Sequence, residues 1–223
     1  MRKRKYFHPA VFILMGCLVC LSGCYHVPAG LPEFDLAIQA IKDGKSTTIV
    51  TKDMECVEEI GDEQIKQLEG LEGLKELRLN RTAITAEALH SIVKIPDLII
   101  LSLGETRVKD EDLAILARHP KLQHLSLDKT RVTDKCLEHV VTIPNLEELF
   151  LWQCAITDNG CTTIARITKL RRLGLDETRI TSAGFKKLQT LKNLKFISVW
   201  RTGVSEEDAA AFGKVVPECR VNR

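Results

Sequence analysis

Leu122-Gln123-His124-Leu125-Ser126-Leu127-Asp128-Lys129-Thr130-Arg131-Val132-Thr133-Asp134 is the stretch on which the reading of the chain turns. Leucines at its first, fourth and sixth positions alternate with mostly polar residues, the period of a short half-buried strand. The same pattern returns without a gap every 24 residues, in blocks that begin at Leu74, Leu98, Leu122, Leu146, Leu170 and Leu194. The fourth position reads Leu77, Leu101, Leu125, Leu149, Leu173 and Ile197, and the sixth Leu79, Leu103, Leu127, Leu151, Leu175 and Val199. Self-similarity at such a period marks a repeat array, which grows lengthwise and not around one central core.

Each block also carries the signals of a helix. The eleventh position is Ile84, Val108, Val132, Ile156, Ile180 or Val204, followed by Thr85, Lys109, Thr133, Thr157, Thr181 or Ser205. The hydroxyls in that column suit a helix N-cap. Apolar residues then recur at helical spacing, as in Leu113, Leu116 and Ala117 or Leu137, Val140 and Val141, and Pro96, Pro120 and Pro144 stop three of these segments. A block is therefore strand, turn, helix and return loop. One such unit cannot bury its apolar stripe alone. Six stacked copies form a continuous core with a parallel sheet about 30 Å long on one side.

The pattern LxxLxLxxTxI followed by Thr-Asp resembles the leucine-rich-repeat family and covers about 150 of the 223 residues. The resemblance implies an α/β right-handed solenoid, with the parallel β-sheet on the concave face and helices on the convex face. Its repeat length is similar to the ribonuclease-inhibitor-like or cysteine-containing type, and its Thr-Asp variant to repeats of planctomycete envelope proteins. Many members carry Asn at the ninth position. Here Thr82, Thr106, Thr130, Cys154, Thr178 and Thr202 stand there, so the asparagine ladder is replaced by groups expected to bond to a neighbouring turn's backbone.

The ends frame this array. Arg2-Lys3-Arg4-Lys5 precedes an apolar run from Val11 to Val19 that is too short to span a bilayer. Leu21-Ser22-Gly23-Cys24 resembles the bacterial lipobox, which implies cleavage before Cys24 and lipidation of that residue. Two or more acyl chains make a stable anchor. The resulting division is a signal peptide over 1–23, a tether and N-terminal cap helix over 24–48, a degenerate capping repeat over 49–73, six repeats over 74–216 and a closing segment over 217–223. Phe34 to Lys42 supplies the cap helix, and Ile60 to Leu68 matches the helix half of a repeat whose strand half, around Val50 to Val57, lacks the leucines.

Removing 1–23 takes four of the 32 basic residues and none of the 30 acidic ones, which turns a net charge of +2 into about −2. That balance excludes the basic footprint of a nucleic-acid binder. Of eight cysteines, Cys17, Cys20 and Cys24 belong to the leader and the lipid site. Cys154 and Cys161 replace Thr and Leu in their columns and read as small core residues; Cys136 lies on the helix side, and Cys56 and Cys219 lie in opposite caps. No zinc spacing is present. His90, His119, His124 and His139 occupy four different repeat positions, so no metal site and no cofactor are expected. Asp128 and Asp176 share the seventh position two strands apart, about 10 Å, the spacing of an inverting carboxylate pair. On an open, wet sheet nothing is expected to raise one of their pKa values, so the chain is read as no enzyme.

The outward strand positions distinguish one end of the array. Earlier strands present Lys75, Glu76, Arg78, Arg81, His124, Asp128 and Lys129, whereas later ones present Phe150, Trp152, Phe196 and Trp200. Gly174 between them is expected to leave a gap, flanked by Arg172, Asp176 and Glu177. Trp and Arg are enriched among binding hot spots, so Phe150, Trp152, Arg172, Asp176, Glu177, Phe196 and Trp200 form the expected partner-binding surface. The reading is a lipid-anchored cell-envelope module, tied at Cys24 to a membrane of the envelope, with the outer membrane as the suggested one, that binds a protein, peptide or glycan. A passive envelope scaffold or an envelope hydrolase are the alternatives.

Overall fold

The computed structural model describes residues 32–51 and 59–223. The leader, Cys24 and Cys56 lie outside the described residues. Eight three-residue strands, β1 (Thr48–Val50), β2 (Glu76–Arg78), β3 (Ile100–Ser102), β4 (His124–Ser126), β5 (Glu148–Phe150), β6 (Arg172–Gly174), β7 (Phe196–Ser198) and β8 (Arg220–Asn222), form one all-parallel sheet in sequence order. From β2 onward each strand pairs with the residue 24 positions later, so one repeat position becomes one column across the sheet. Leu77, Leu101, Leu125, Leu149, Leu173 and Ile197 make one such column, fully buried, and the first- and sixth-position residues bury beside it.

Helices return the chain on the opposite side: α1 (Pro32–Lys42), α2 (Asp62–Lys66), α3 (Ala86–Ile92), α4 (Leu137–Val140), α5 (Asp158–Ile164), α6 (Ser182–Lys187) and α7 (Glu206–Val215). The hydroxyls of Thr85, Thr133, Thr157, Thr181 and Ser205 accept a backbone N–H at the helix start, as their column implies. Lys109 cannot do this. There the convex segment Glu111–Arg118 is a 3-10 helix, and the Lys109 N–H is satisfied by the Asp112 carboxylate at 2.8 Å.

The two ends depart from the sequence reading. The capping strand is Thr48–Val50, paired at a 28-residue offset, which places it ahead of the expected Val50–Val57 region. At the far end Arg220–Asn222 forms a strand of its own, although its columns hold Val221 and no leucine. Pairing with β7 and the packing of α7 against β8 recruit it. Phe34, Ile38 and Ile41 of α1 close one end of the core; Phe212, Val216 and Cys219 close the other.

Polar rungs between repeats hold the stack. Asp62, Asp110, Asp134 and Asp158 each accept both the N–H and the hydroxyl of the threonine that starts the next helix, Thr85, Thr133, Thr157 and Thr181, at 2.5–2.8 Å. This Asp–Thr ladder joins the thirteenth position of one repeat to the twelfth of the next, apart from the ninth position where an asparagine ladder would stand. The ninth-position threonines act locally instead: Thr82, Thr106, Thr130 and Thr178 donate to the carbonyl three residues back in their own repeat at 2.7 Å. Only Cys154 reaches the preceding repeat, at the Leu127 carbonyl, 3.1 Å away.

Candidate functional site

The concave face is a grid of columns. The third position runs Glu76, Ile100, His124, Glu148, Arg172, Phe196 and Arg220, and the fifth Arg78, Ser102, Ser126, Phe150, Gly174, Ser198 and Asn222. The eighth position, Arg81, Glu105, Lys129, Gln153, Glu177 and Arg201, is in the left-handed region in every repeat, with φ between 53° and 65° and no glycine. Such a conformation costs about 1 kcal/mol for an ordinary residue. In five of the six repeats the stack supports it, because the N–H of Arg81, Glu105, Lys129, Gln153 and Glu177 each bonds to a seventh-position carbonyl of the following repeat. The turn aims these side chains along the rim of the face.

The seventh position alternates between acceptors and other residues: Asn80, Gly104, Asp128, Trp152, Asp176, Trp200. Each acceptor takes the N–H of the next member, Asn80 from Gly104 at 2.8 Å, Asp128 from Trp152 at 2.8 Å and Asp176 from Trp200 at 2.6 Å. Both tryptophans are therefore seated by an aspartate of the preceding repeat. Asp128 also accepts from the Ser126 hydroxyl and Asp176 from that of Ser198. Burial pushes the Asp128 carboxyl above its ordinary value, with the Asp176 charge adding to it. The expectation of an open, wet site with nothing to raise a pKa fails here, since this position is partly desolvated. With both oxygens bonded to the sheet, the Asp128 carboxylate orients the backbone. Asp176, read from sequence as a partner contact, likewise serves the sheet with its bonded oxygen.

The expected gap at Gly174 is filled. The Phe150 ring leans across it so closely that a Cβ on Gly174 would stand 2.7 Å from the Phe150 Cδ1. Arg172 lies between the Phe150 and Phe196 rings, its guanidinium carbon 5.5 Å from each centroid. Lys129 covers Trp152 at 4.4 Å and Arg201 covers Trp200 at 4.3 Å. Trp200 is 44% exposed, one of three exposed large apolar side chains among the described residues. Glu177 accepts from the Gln153 amide at 2.7 Å and pairs with Arg201, and these partners hold its carboxyl below the usual range.

All seven residues expected at the binding surface stand on this face or its rim, but a groove in the same face is centred elsewhere. A groove of about 890 Å³ runs over β2 to β6, from Arg78, Asn80 and Arg81 through His124 and Glu148 to Phe150, Trp152 and Arg172. Phe196 and Trp200 lie beyond it, toward β8. Repeats four to six thus contribute a wall and a shoulder, while the floor belongs to earlier repeats whose small residues Ser102, Gly104 and Ser126 sequence reasoning passed over. A column of small side chains flanked by larger ones was the available signal.

Other candidate chemistry is accounted for by packing. Cys136, Cys154, Cys161 and Cys219 are buried free thiols. Burial pushes Cys161 up to about 12 and Cys219 up to about 11, away from nucleophilic character. His119 is buried; the Lys121 N–H donates to its Nδ1 at 3.3 Å, so Nε2 carries the proton and donates to the Ile95 carbonyl at 2.8 Å. Among the described residues no group of three His, Cys, Asp or Glu stands where it could hold a metal ion. No helix of the described residues is long and apolar enough to cross a membrane.

A parallel sheet of 24-residue units, each closed by a helix and presenting one open polar-aromatic face, defines a leucine-rich-repeat solenoid. The family described as "FBD-associated F-box protein At5g56370, LRR repeats" matches residues 46–195, and the chain belongs to this leucine-rich-repeat family. Among solved structures it is similar in fold to internalin C2 from Listeria monocytogenes, with a TM-score of 0.59 at 20% identity, covering 83% of this chain and 91% of that one. A leucine-rich-repeat protein of Leptospira interrogans aligns with a TM-score of 0.48 at 21% identity, over 71% of this chain and 45% of that one. Comparison with curated proteins finds no match.

Proposed function

We propose that this protein is a lipid-anchored cell-envelope interaction module that holds a protein or peptide partner on the concave face of its solenoid and performs no catalysis of its own. The observation that carries the reading is the groove of about 890 Å³ continued by Phe196 and the exposed Trp200. Pockets that fix a partner combine apolar surface with a few placed polar groups, and large aromatic rings contribute much contact area at low entropic cost. The anchor rests on the charged start, the short apolar run and Leu21-Ser22-Gly23-Cys24.

Crosslinking in cells of the source organism followed by mass spectrometry tests the module, with the Trp152→Ala/Trp200→Ala double variant as control. A folded double variant that captured the same partners at the same yield would refute the role of this face. Placement has its own test. Cys24→Ser is expected to move the protein from the membrane fraction to the soluble one, and an unchanged distribution would remove the lipid anchor.

A further inference from the structure

The last three strands carry a feature that general stickiness does not explain. Arg172, Phe196 and Arg220 occupy one column on β6, β7 and β8, which places the two arginines about 10 Å apart with a ring between them. The acids of this end are already engaged. Glu147 pairs with Arg171, Glu177 with Gln153 and Arg201, and Glu218 with Lys195. Asp176 is bonded to Ser198 and the Trp200 N–H, and Glu148 lies against His124 at 3.2 Å. Arg172 is half exposed and touches Glu148 only at 3.5 Å; Arg220 is exposed and makes no ion pair among the described residues. Arg172, in a single long contact to Glu148, and Arg220, with no ion pair among the described residues, are thus the two accessible guanidiniums of this column.

The guanidinium of Arg172 is also held in place. Rings stand on both sides of it, and apart from the long Nη1 contact to Glu148 at 3.5 Å its N–H donors have no partner among the described residues, so the planar fork can take a carboxylate with two parallel bonds. In an extended peptide, residues i and i+2 project on one side about 7 Å apart, within reach of both flexible arginine side chains.

Resting on the interaction-module reading, we infer that the C-terminal end of the concave face binds an extended peptide bearing two nearby carboxylates, one seated on Arg172 between Phe150 and Phe196 and the other on Arg220. A side chain between the two acids lies over Phe196.

The test pans a random dodecapeptide phage library against the immobilised full chain and measures selected peptides by fluorescence anisotropy. Enrichment of peptides with at least two Asp or Glu within five residues is expected. Arg172→Gln/Arg220→Gln should weaken them about tenfold or more. Arg107→Gln/Arg131→Gln removes two exposed arginines from a different column and should leave affinity unchanged, with circular dichroism confirming that both double variants fold. Equal weakening by the two double variants would reduce the effect to net charge and overturn the inference. Selection of neutral or basic peptides would overturn it while leaving the interaction module standing. Selection of no peptide would overturn it as well; joined to an absence of crosslinked partners, it would take the module reading with it.

Discussion

Gly184 lies inside α6, where replacement by Ala ordinarily stabilises by roughly 0.5–1 kcal/mol because glycine loses the most backbone freedom on folding. The opposite sign is expected here. A Cβ at Gly184 would stand 2.3 Å from Asp158 Oδ1 and 2.8 Å from the Asp158 Cα. That carboxylate accepts the Thr181 N–H at 2.7 Å and the Thr181 hydroxyl at 2.6 Å, and the Gly184 N–H bonds to it as well. To admit a methyl group, either the carboxylate rotates out of the ladder or α6 moves away from α5. Bonds to a charged acceptor are worth about 1.5–3 kcal/mol when buried, and Asp158 is only partly buried, so losing two of them at the lower end costs about 3 kcal/mol. After the helix gain is subtracted, a net loss of about 2 kcal/mol remains, or about 4–8 °C in Tm for a chain of this size. Thermal unfolding followed by circular dichroism measures it. Gly213 in α7 is the control, because a Cβ there meets nothing within 4 Å, and Gly213→Ala should raise Tm by about 1–4 °C. If Gly184→Ala raised Tm as Gly213→Ala does, the Asp–Thr ladder would have no part in holding the repeats together.

The ladder lacks one rung, because Ala86 and Lys109 stand where four other rungs have Asp and Thr and the last has Ser182 and Ser205. The pair Ala86→Asp/Lys109→Thr should raise stability in urea by about 1 kcal/mol, more than the two single changes together; purely additive singles would contradict the geometry. Arg81, at φ 65° with a side chain 70% exposed, should be replaceable by Gly with a gain of about 0.5–1 kcal/mol, and a lowered urea midpoint would show that the ion pair to Glu105 outweighs the strain. Burial lowers the His119 pKa below its ordinary 6.5, so the unfolded chain binds the proton more readily. Stability should consequently fall as pH drops from about 6.5 toward the folded value. His119→Gln should shrink the stability lost between pH 7.5 and 5.5, and an equal loss in both proteins would assign it to other groups.

Much of this architecture is legible without coordinates because it depends on local periodicity. Leucines at the first, fourth and sixth positions every 24 residues require a strand buried on one side, and the threonines from Thr85 to Thr181 place the helix starts. The outward placement of Phe150, Trp152, Phe196 and Trp200 follows from the same alternation. Stacking decided the rest. Whether Asp134 bonds to its own turn or to Thr157, 23 residues away, depends on repeats lying side by side. The left-handed backbone at the eighth position has no glycine to announce it, and in five repeats of six a hydrogen bond to the following repeat supports it. Gly174 reads as a gap in one dimension and is the floor under Phe150 in three, because a ring fills space on the neighbouring strand that its own column does not show. Arg220 gained its place beside Phe196 in the same way: Arg220–Asn222 lacks the leucine signature and becomes a strand because β7 offers it a partner.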